Sequence, residues 1–274
     1  MSLTVFYITN NIDIALIAEK VGVDRIWIDL ETLGKEERQK GINSVKSHHS
    51  IGDILAIAPK LSKSEMLVRV NPWYPGSFAE IDNVIKAGAQ IVMLPMWKTP
   101  FEVKSFISAV NGRAKVSLLL ETREAEECLD EVLKLSGIDE IHIGLNDLHL
   151  SYGLHFMFEL LTNGTVERIV NKIKAKGLPY GFGGISHLGD GVIPAEMIIT
   201  EHYRLGSTRA ILSRGFCDQS KPIGEFEKDF FANMKALRAF EKNIDPALFE
   251  KNRIALSKAV AKVIEDKKNA TGND

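Results

Sequence analysis

Short apolar runs alternate with amphipathic stretches along this chain. In one such stretch Val103, Phe106, Ile107 and Val110 recur at i, i+3, i+4 and i+7, the spacing of one buried helix face. The apolar runs of β type are Thr4–Ile8, Arg25–Asp29, Met66–Val70, Gln90–Leu94, Val116–Leu120, Glu140–Ile143, Tyr180–Gly183 and Arg209–Leu212. Strands that alternate with helices pair in parallel through helical crossovers, so the pattern predicts a parallel α/β fold.

The number of strands and the length favour a (β/α)8 TIM barrel, in which chemistry takes place at the carboxyl ends of the strands. The alternative is an open doubly wound sheet, which needs a nucleotide-binding motif after a strand. The glycine-rich run at Gly181–Gly184 lacks the spacing of that motif. We therefore predict a barrel over residues 1–220 and a C-terminal helical extension over residues 221–274.

Local signals mark where two of the helices begin. Ser77 with Glu80, and Thr99 with Glu102, have the spacing of capping boxes. Pro100 suits the first helical position, where a missing N–H costs nothing. Both patterns predict a helix start directly after a strand.

The pattern changes after residue 220, where two long helices follow each other. Phe226, Phe230, Met234 and Leu237 form the stripe of the first, and the second covers about Pro246–Asp266. A helix with this much aromatic surface must bury it. The sequence leaves two partners open, the chain's own barrel and a neighbouring subunit.

Composition and charge narrow the class of protein. The chain has 274 residues, is 45% apolar and 26% charged, and carries a formal net charge of -2, which gives no broad basic surface for nucleic acid. No apolar run approaches the roughly 20 residues of a membrane span. The first residues lack the pattern of a signal peptide, and two cysteines cannot make a disulfide framework. We expect a cytoplasmic protein without a membrane or nucleic-acid partner.

Charged and polar residues collect where the predicted strands end. They are Asp29 and Glu31 after the second strand, Arg69 and Asn71 at the third, Glu121 after the fifth, Asn146 and Asp147 after the sixth, and His187 after the seventh. In a barrel these positions converge on one face. Salt bridges that lock the barrel would explain any one of them, but the whole set favours a functional site.

Glu121 and Asp147 lie about one βα unit apart, so they should follow adjacent strands. Two carboxylates completed by water and substrate suit Mg²⁺ or Mn²⁺. Such an ion can polarise a chelating 2-keto acid, and Arg69 would add a second positive charge at the keto oxygen. Gly144 would let the backbone approach a ligand closely, and the amides of Asn146 and Asp147 would receive a substrate carboxylate.

The segment "LLLETREA…LDEVLKLSGIDEIHIGLNDL…G", with "IDLE", "VRVN" and "VMLPM" before it, resembles the HpcH/HpaI aldolase and citrate lyase beta-subunit family over roughly residues 20–215. The resemblance implies a pyruvate/phosphoenolpyruvate-type barrel. It implies that Glu121 and Asp147 bind a divalent metal and that Arg69 binds and polarises the keto oxygen. The family's Asp–x–Glu motif falls on Asp29 and Glu31, and we expect Glu31 to be catalytic.

The sequence departs from this family at Thr32, where the aldolase branch carries a histidine used as acid and base. The citrate-lyase branch lacks that histidine as well, but typically carries an acid at this position. His48 and His49, after the second strand, are the first candidates for the missing base, and His187 is another. A hydroxyl without a nearby base cannot take over the proton transfer, so metal-bound water is a further alternative to a histidine.

These observations predict a divalent-metal-dependent carbon–carbon lyase or aldolase that acts on a 2-keto acid through a pyruvate enolate, with an aldehyde as its second substrate. The alternatives are a citrate-lyase-like enzyme that takes an acyl thioester, and a barrel that binds metal and ligand without turnover. Barrels of the resembled superfamily often exchange their last helix between subunits. The resemblance therefore implies a homo-oligomer, and we expect a trimer or a hexamer.

Overall fold

The computed structural model describes residues 2–34 and 49–271. Its eight strands close into a barrel in chain order, which confirms the predicted (β/α)8 TIM barrel and excludes the open sheet. The strands are β1 Thr4–Ile8, β2 Arg25–Asp29, β3 Glu65–Arg69, β4 Ile91–Leu94, β5 Lys115–Leu120, β6 Glu140–Ile143, β7 Tyr180–Ile185 and β8 Arg209–Leu212. The predicted bounds agree with these within two residues.

Helices follow the strands in the described part of the chain. They are α1 Ile12–Lys20, α2 Ile51–Ile57, α3 Ser77–Ala87, α4 Pro100–Val110, α5 Arg123–Glu127, α6 Leu129–Val132, α7 Leu145–Ser151, α8 Glu159–Thr162, α9 Thr165–Ala175, α10 Ala195–Leu205, α11 Ile223–Lys242 and α12 Phe249–Thr271. Within those residues, no helix is long and apolar enough to cross a membrane.

The strands are buried on both faces, as parallel strands covered by helices require. All five residues of β2 and all four of β4 are buried. This burial explains why the strand signal is a nearly continuous apolar run and not an alternation. It also explains why a charged residue at a strand end needs a partner.

One of the two predicted capping boxes forms. The Thr99 hydroxyl accepts a hydrogen bond from the Glu102 amide while the Glu102 carboxylate accepts one from the Thr99 amide, and Pro100 opens α4. The box predicted for Ser77 and Glu80 is wrong, because α3 already begins at Ser77 and the Glu80 carboxylate turns away to another partner. A short-range pattern cannot distinguish these outcomes, since both place an acid in the first helical turn.

Internal contacts divide the chain into two compact units. The amino unit comprises residues 5–120 and 124–141, and the carboxyl unit comprises residues 1–4, 121–123 and 142–274. The helices after residue 220 belong to the carboxyl unit, and the predicted boundary at that residue stays a prediction.

In the carboxyl unit, α11 buries its aromatic stripe within the chain, with Phe226 and Phe230 both fully buried. The helix is fixed to the residue just before β1. The Leu3 amide donates to Glu241 at 2.8 Å, and the Arg238 guanidinium donates to the Leu3 carbonyl at 2.9 Å. The chain itself is thus the partner of this apolar face. The predicted homo-oligomer stays a prediction and loses the support of this stripe.

The last helix, α12, also packs on its own unit. Leu256 and Val260 are buried, and the Asn252 amide group donates to the carbonyl of Met197 in α10 at 3.1 Å. Further along, the Lys267 ammonium lies 4.9 Å from the centre of the Phe156 ring. Both C-terminal helices are therefore part of the folded carboxyl unit.

In the amino unit, a buried ion cluster joins the starting residues of three strands. The Arg25 guanidinium lies 2.6 Å from a Glu140 carboxylate oxygen and 3.4 Å from one of Glu65, and it covers the Phe6 ring at 4.7 Å. Active sites of TIM barrels lie at the other ends of the strands, so this cluster has a structural role.

Candidate active site

The side chains predicted at the ends of β2 and β3 form one cluster in the amino unit. The parallel register places Asp29 directly beside Arg69. Nε of Arg69 donates to one Asp29 oxygen and Nη2 donates to the other, each at 2.8 Å, while Nη1 lies 3.3 Å from a Glu31 oxygen. The guanidinium also lies over the Trp27 ring at 5.3 Å.

This cluster holds the guanidinium plane in a fixed direction. Arg69 is 13% exposed, and both acids are 3% exposed. A paired fork of this kind gives orientation as well as energy, because two parallel N–H···O bonds fix the plane. Asp29 thus fixes the orientation of the Arg69 guanidinium. The sequence places it in the Asp–x–Glu motif without a role of its own, because the strand register that pairs it with Arg69 is visible only in the folded chain.

A second group of polar contacts fixes the backbone just after Glu31. The Asn71 side-chain oxygen accepts the amides of Thr32 at 2.8 Å and Leu33 at 2.9 Å. Asn71 in turn donates both its backbone N–H and its side-chain N–H to Glu80, at 3.2 and 2.8 Å. Burial raises the pKa of the Glu80 carboxyl, and the bonds from Asn71 oppose that rise. Glu80 is the residue that the sequence pattern wrongly predicted to form a capping box with Ser77.

Of the two candidate histidines after β2, the structure describes one. His48 lies outside the described residues. His49 is half-buried, and its Nδ1 accepts a hydrogen bond of 3.0 Å from the backbone N–H of Asp29. The Thr32 hydroxyl donates to the Asn71 side-chain oxygen at 3.3 Å, so it helps to fix the loop after β2.

In the carboxyl unit, both predicted metal ligands follow strands. Glu121 comes directly after β5 and is 3% exposed. Asp147 lies in the first turn of α7, directly beyond β6, and is half-buried. Asn146 is exposed beside it, and the amides of both residues lie in a first helical turn, which has no acceptors of its own. Gly144 has φ of -81°, which any residue adopts.

The donor set fits a hard cation that keeps water or substrate in its shell. Over residues 2–34 and 49–271 no group of three or more His, Cys, Asp or Glu side chains is placed to hold a metal ion. Two carboxylates alone suit Mg²⁺ or Mn²⁺, which bind proteins through one or two acids and take further oxygens from substrate. Glu121 and Asp147 are therefore sufficient in type for such an ion, and they would not suit a structural zinc site.

The histidines of the carboxyl unit have clearly different surroundings. His142 is fully buried, and its Nε2 donates to the Gly183 carbonyl at 3.1 Å. His202 is fully buried against the Phe182 ring, at 3.9 Å between ring centres. His187 is half-buried on the loop after β7, and its Nδ1 lies 2.9 Å from the Leu188 carbonyl oxygen.

Comparisons with known proteins agree on one family. The family model described as HpcH/HpaI aldolase/citrate lyase matches residues 2–180. No protein of curated function matches the sequence.

Solved structures show the same fold at low identity. An HpcH/HpaI aldolase/citrate lyase family protein from Burkholderia cenocepacia J2315 is 15% identical with a TM-score of 0.62, over 88% of this chain and 95% of that one. An HpcH/HpaI aldolase from Desulfitobacterium hafniense DCB-2 is 14% identical with a TM-score of 0.60, over 89% and 96%. A citrate lyase from Burkholderia xenovorans LB400 is 13% identical with a TM-score of 0.60, over 96% and 93%.

Proposed function

Because the chain belongs to the HpcH/HpaI aldolase/citrate lyase family, we propose that it is a divalent-metal-dependent carbon–carbon lyase of the pyruvate-aldolase type. Family membership makes it a lyase or aldolase of this superfamily. The substrates proposed are a 2-keto acid, which reacts through its enolate, and an aldehyde. The observation that carries the proposal is the Arg69 guanidinium held between two buried carboxylates at the ends of adjacent strands.

Arg69 has the properties needed to stabilise charge that develops on a keto oxygen. Its plane is fixed before substrate arrives, so little reorganisation is needed when the oxygen becomes negative. The two acids beside it, Asp29 and Glu31, keep the guanidinium aligned in a nearly dry position. We assign Arg69 to the keto oxygen and Glu31 to its support at Nη1.

Glu121 and Asp147 are the residues that would hold the Mg²⁺ or Mn²⁺ ion. When bound, such an ion acts as a Lewis acid towards a keto oxygen and a carboxylate of the substrate. The first turn of α7 contributes the amides of Asn146 and Asp147, next to Gly144, and we assign them to the substrate carboxylate.

A citrate-lyase-like reaction on an acyl thioester is the second candidate. Thr32 matches neither branch, because the aldolase branch has a histidine at this position and the citrate-lyase branch typically has an acid, and here the hydroxyl donates to Asn71. The two candidates differ in the carbon acid, which is the methyl group of a keto acid in one and of a thioester in the other.

Deuterium exchange at a methyl group tests the proposal directly. The purified protein is incubated in D₂O with pyruvate or with an acetyl thioester, with Mg²⁺, Mn²⁺ or a chelator, and exchange is followed by NMR. We expect metal-dependent exchange of the pyruvate methyl protons. Exchange of the thioester alone would favour the second candidate, and exchange of neither would indicate a binding protein without turnover.

Variants of the two acids test the metal assignment separately from activity. Glu121→Gln and Asp147→Asn remove one charged oxygen ligand each while keeping the size of the side chain. We expect each to weaken Mn²⁺ binding, measured by EPR titration, and to abolish exchange. Glu124→Gln is the matched control, because this glutamate is 47% exposed and its 3.0 Å pair with Lys98 lies on the surface, where such a pair contributes little stability. Unchanged Mn²⁺ affinity in both strand-end variants would remove them as ligands.

A further inference from the structure

Backbone contacts determine which ring nitrogen carries the proton in two histidines beside the strand ends. A carbonyl oxygen can only accept a hydrogen bond, and an amide N–H can only donate one. A ring nitrogen that faces a carbonyl must therefore carry hydrogen, and one that faces an amide must present its lone pair. This rule distinguishes a general base from a hydrogen-bond donor.

His49 is held as the tautomer with hydrogen on Nε2. Its Nδ1 accepts the Asp29 N–H at 3.0 Å, so the lone pair at that nitrogen is engaged. A second proton at Nδ1 would face the amide hydrogen and break this bond. Neutral His49 can donate from Nε2, but this contact opposes its use as a proton acceptor.

His187 is held as the opposite tautomer. Its Nδ1–H donates to the Leu188 carbonyl at 2.9 Å, so the lone pair lies on Nε2. The loop that carries it is fixed by local bonds, since the Asp190 amide donates to the His187 carbonyl at 3.2 Å and the Ser186 hydroxyl donates to the Asp190 carbonyl at 3.3 Å. His187 is thus half-buried on a fixed strand-end loop with its lone pair on Nε2, and these are the properties of a general base.

The loop of His187 follows a strand that packs against the turn of the proposed metal ligand Asp147. Gly183 in β7 has a φ of +52°, and a side-chain carbon there would come within 2.7 Å of Leu145 Cδ1, so a larger residue would be strained and would displace Leu145. His142 and His202 are fully buried, and His149 is a nearly buried helix residue whose Nδ1 contacts its own helix at Leu145. Compared with these three, His187 combines partial exposure, a free Nε2 lone pair in the neutral ring and a strand-end position.

We infer that His187, and not His49, transfers the proton in the proposed reaction, an inference that rests on the proposed function. Its Nε2 accepts a proton from the methyl carbon of the keto acid. The C–H bond breaks, an N–H bond forms, and the electron pair moves into the carbon–carbon double bond of the enolate while the keto oxygen gains negative charge. In the reverse direction the same N–H returns the proton to carbon.

Two matched variants test this assignment in the pyruvate exchange assay. Asparagine can replace the Nδ1 contact of each histidine, because its amide N–H can donate to Leu188 and its oxygen can accept the Asp29 amide, but it cannot act as a base. We expect His187→Asn to lower kcat for exchange about 100-fold or more with little change in KM. His49→Asn should stay within a few-fold of wild type. The reverse ranking would overturn the inference.

Two further measurements separate a base from a merely structural residue. Added imidazole should restore exchange to His187→Gly but should not raise exchange in His49→Gly. Restored exchange in both variants, or in neither, would contradict the assignment. In the unmodified protein, ¹⁵N–¹H correlation spectra of the rings should show hydrogen on Nδ1 of His187 and on Nε2 of His49. The opposite tautomers would overturn the inference even if a variant failed to fold. Wild-type protein without any exchange would instead overturn the proposed function.

Discussion

His202→Asn should change how the stability of this protein depends on pH. His202 is fully buried, its ring stacks on Phe182, and its Nδ1–H donates to the Ser207 hydroxyl at 2.8 Å, which itself donates to the Arg209 carbonyl. Its Nε2 is buried without a hydrogen-bond partner in the described part of the chain. Burial, with a smaller contribution from His142, lowers the pKa of His202 to about 3.

The direction and size of the effect follow from the two pKa values. The unfolded chain binds a proton at this histidine below about pH 6.5, whereas the folded chain does so only near pH 3. Neutral His202 therefore makes its full contribution to the free energy of unfolding above about pH 6.5. This contribution is lost as the pH falls towards 3. Each pH unit in this range is worth about 1.4 kcal/mol, so acidification to pH 4.5 should remove about 3 kcal/mol.

Urea unfolding at pH 7.5 and 4.5 measures this contribution. Asparagine at position 202 can still donate to Ser207 but does not titrate, so the other acids and bases cancel in the difference between wild type and variant. We expect wild type to lose about 3 kcal/mol more than the variant on acidification. A difference that stays constant between the two pH values would show that His202 titrates normally when folded, and would refute the reasoning.

Three other predictions concern the charged clusters and the assembly. Arg69→Lys loses the planar fork to Asp29, so we expect pyruvate exchange to fall about 100-fold, or about 2.7 kcal/mol, and normal turnover would make Arg69 structural. Arg25→Met removes the buried guanidinium that lies 2.6 Å from Glu140, which should lower the free energy of unfolding by about 3–5 kcal/mol in urea, with unchanged exchange per folded molecule. The full-length protein should sediment as a trimer or hexamer, and a monomer at micromolar concentration would contradict the predicted assembly.

The order and bounds of the strands could be predicted from the sequence because burial on both faces leaves a local signal. The run Arg25–Asp29 contains every residue of β2, and Glu140–Ile143 every residue of β6. Closure into a barrel follows from the number and order of such units, since parallel strands need a crossover of fixed hand. The strand-end positions of Glu121 and Arg69 follow from the same pattern.

The partners of the polar side chains were decided only by the tertiary structure. Asp29 meets Arg69 because of the register between two strands, and Glu80 leaves its helix start to bind Asn71. Neither register nor such a choice of partner is encoded in a short stretch, because equal spacings permit several hydrogen bonds of similar energy.

The same reason separates the histidines. His49 and His187 are the same residue type, each following a strand, and the sequence favoured His49 with its neighbour as the base. Only the folded chain places an amide against one ring and a carbonyl against the other. A tautomer depends on which group lies about 3 Å from a ring nitrogen, and packing between distant segments determines that distance.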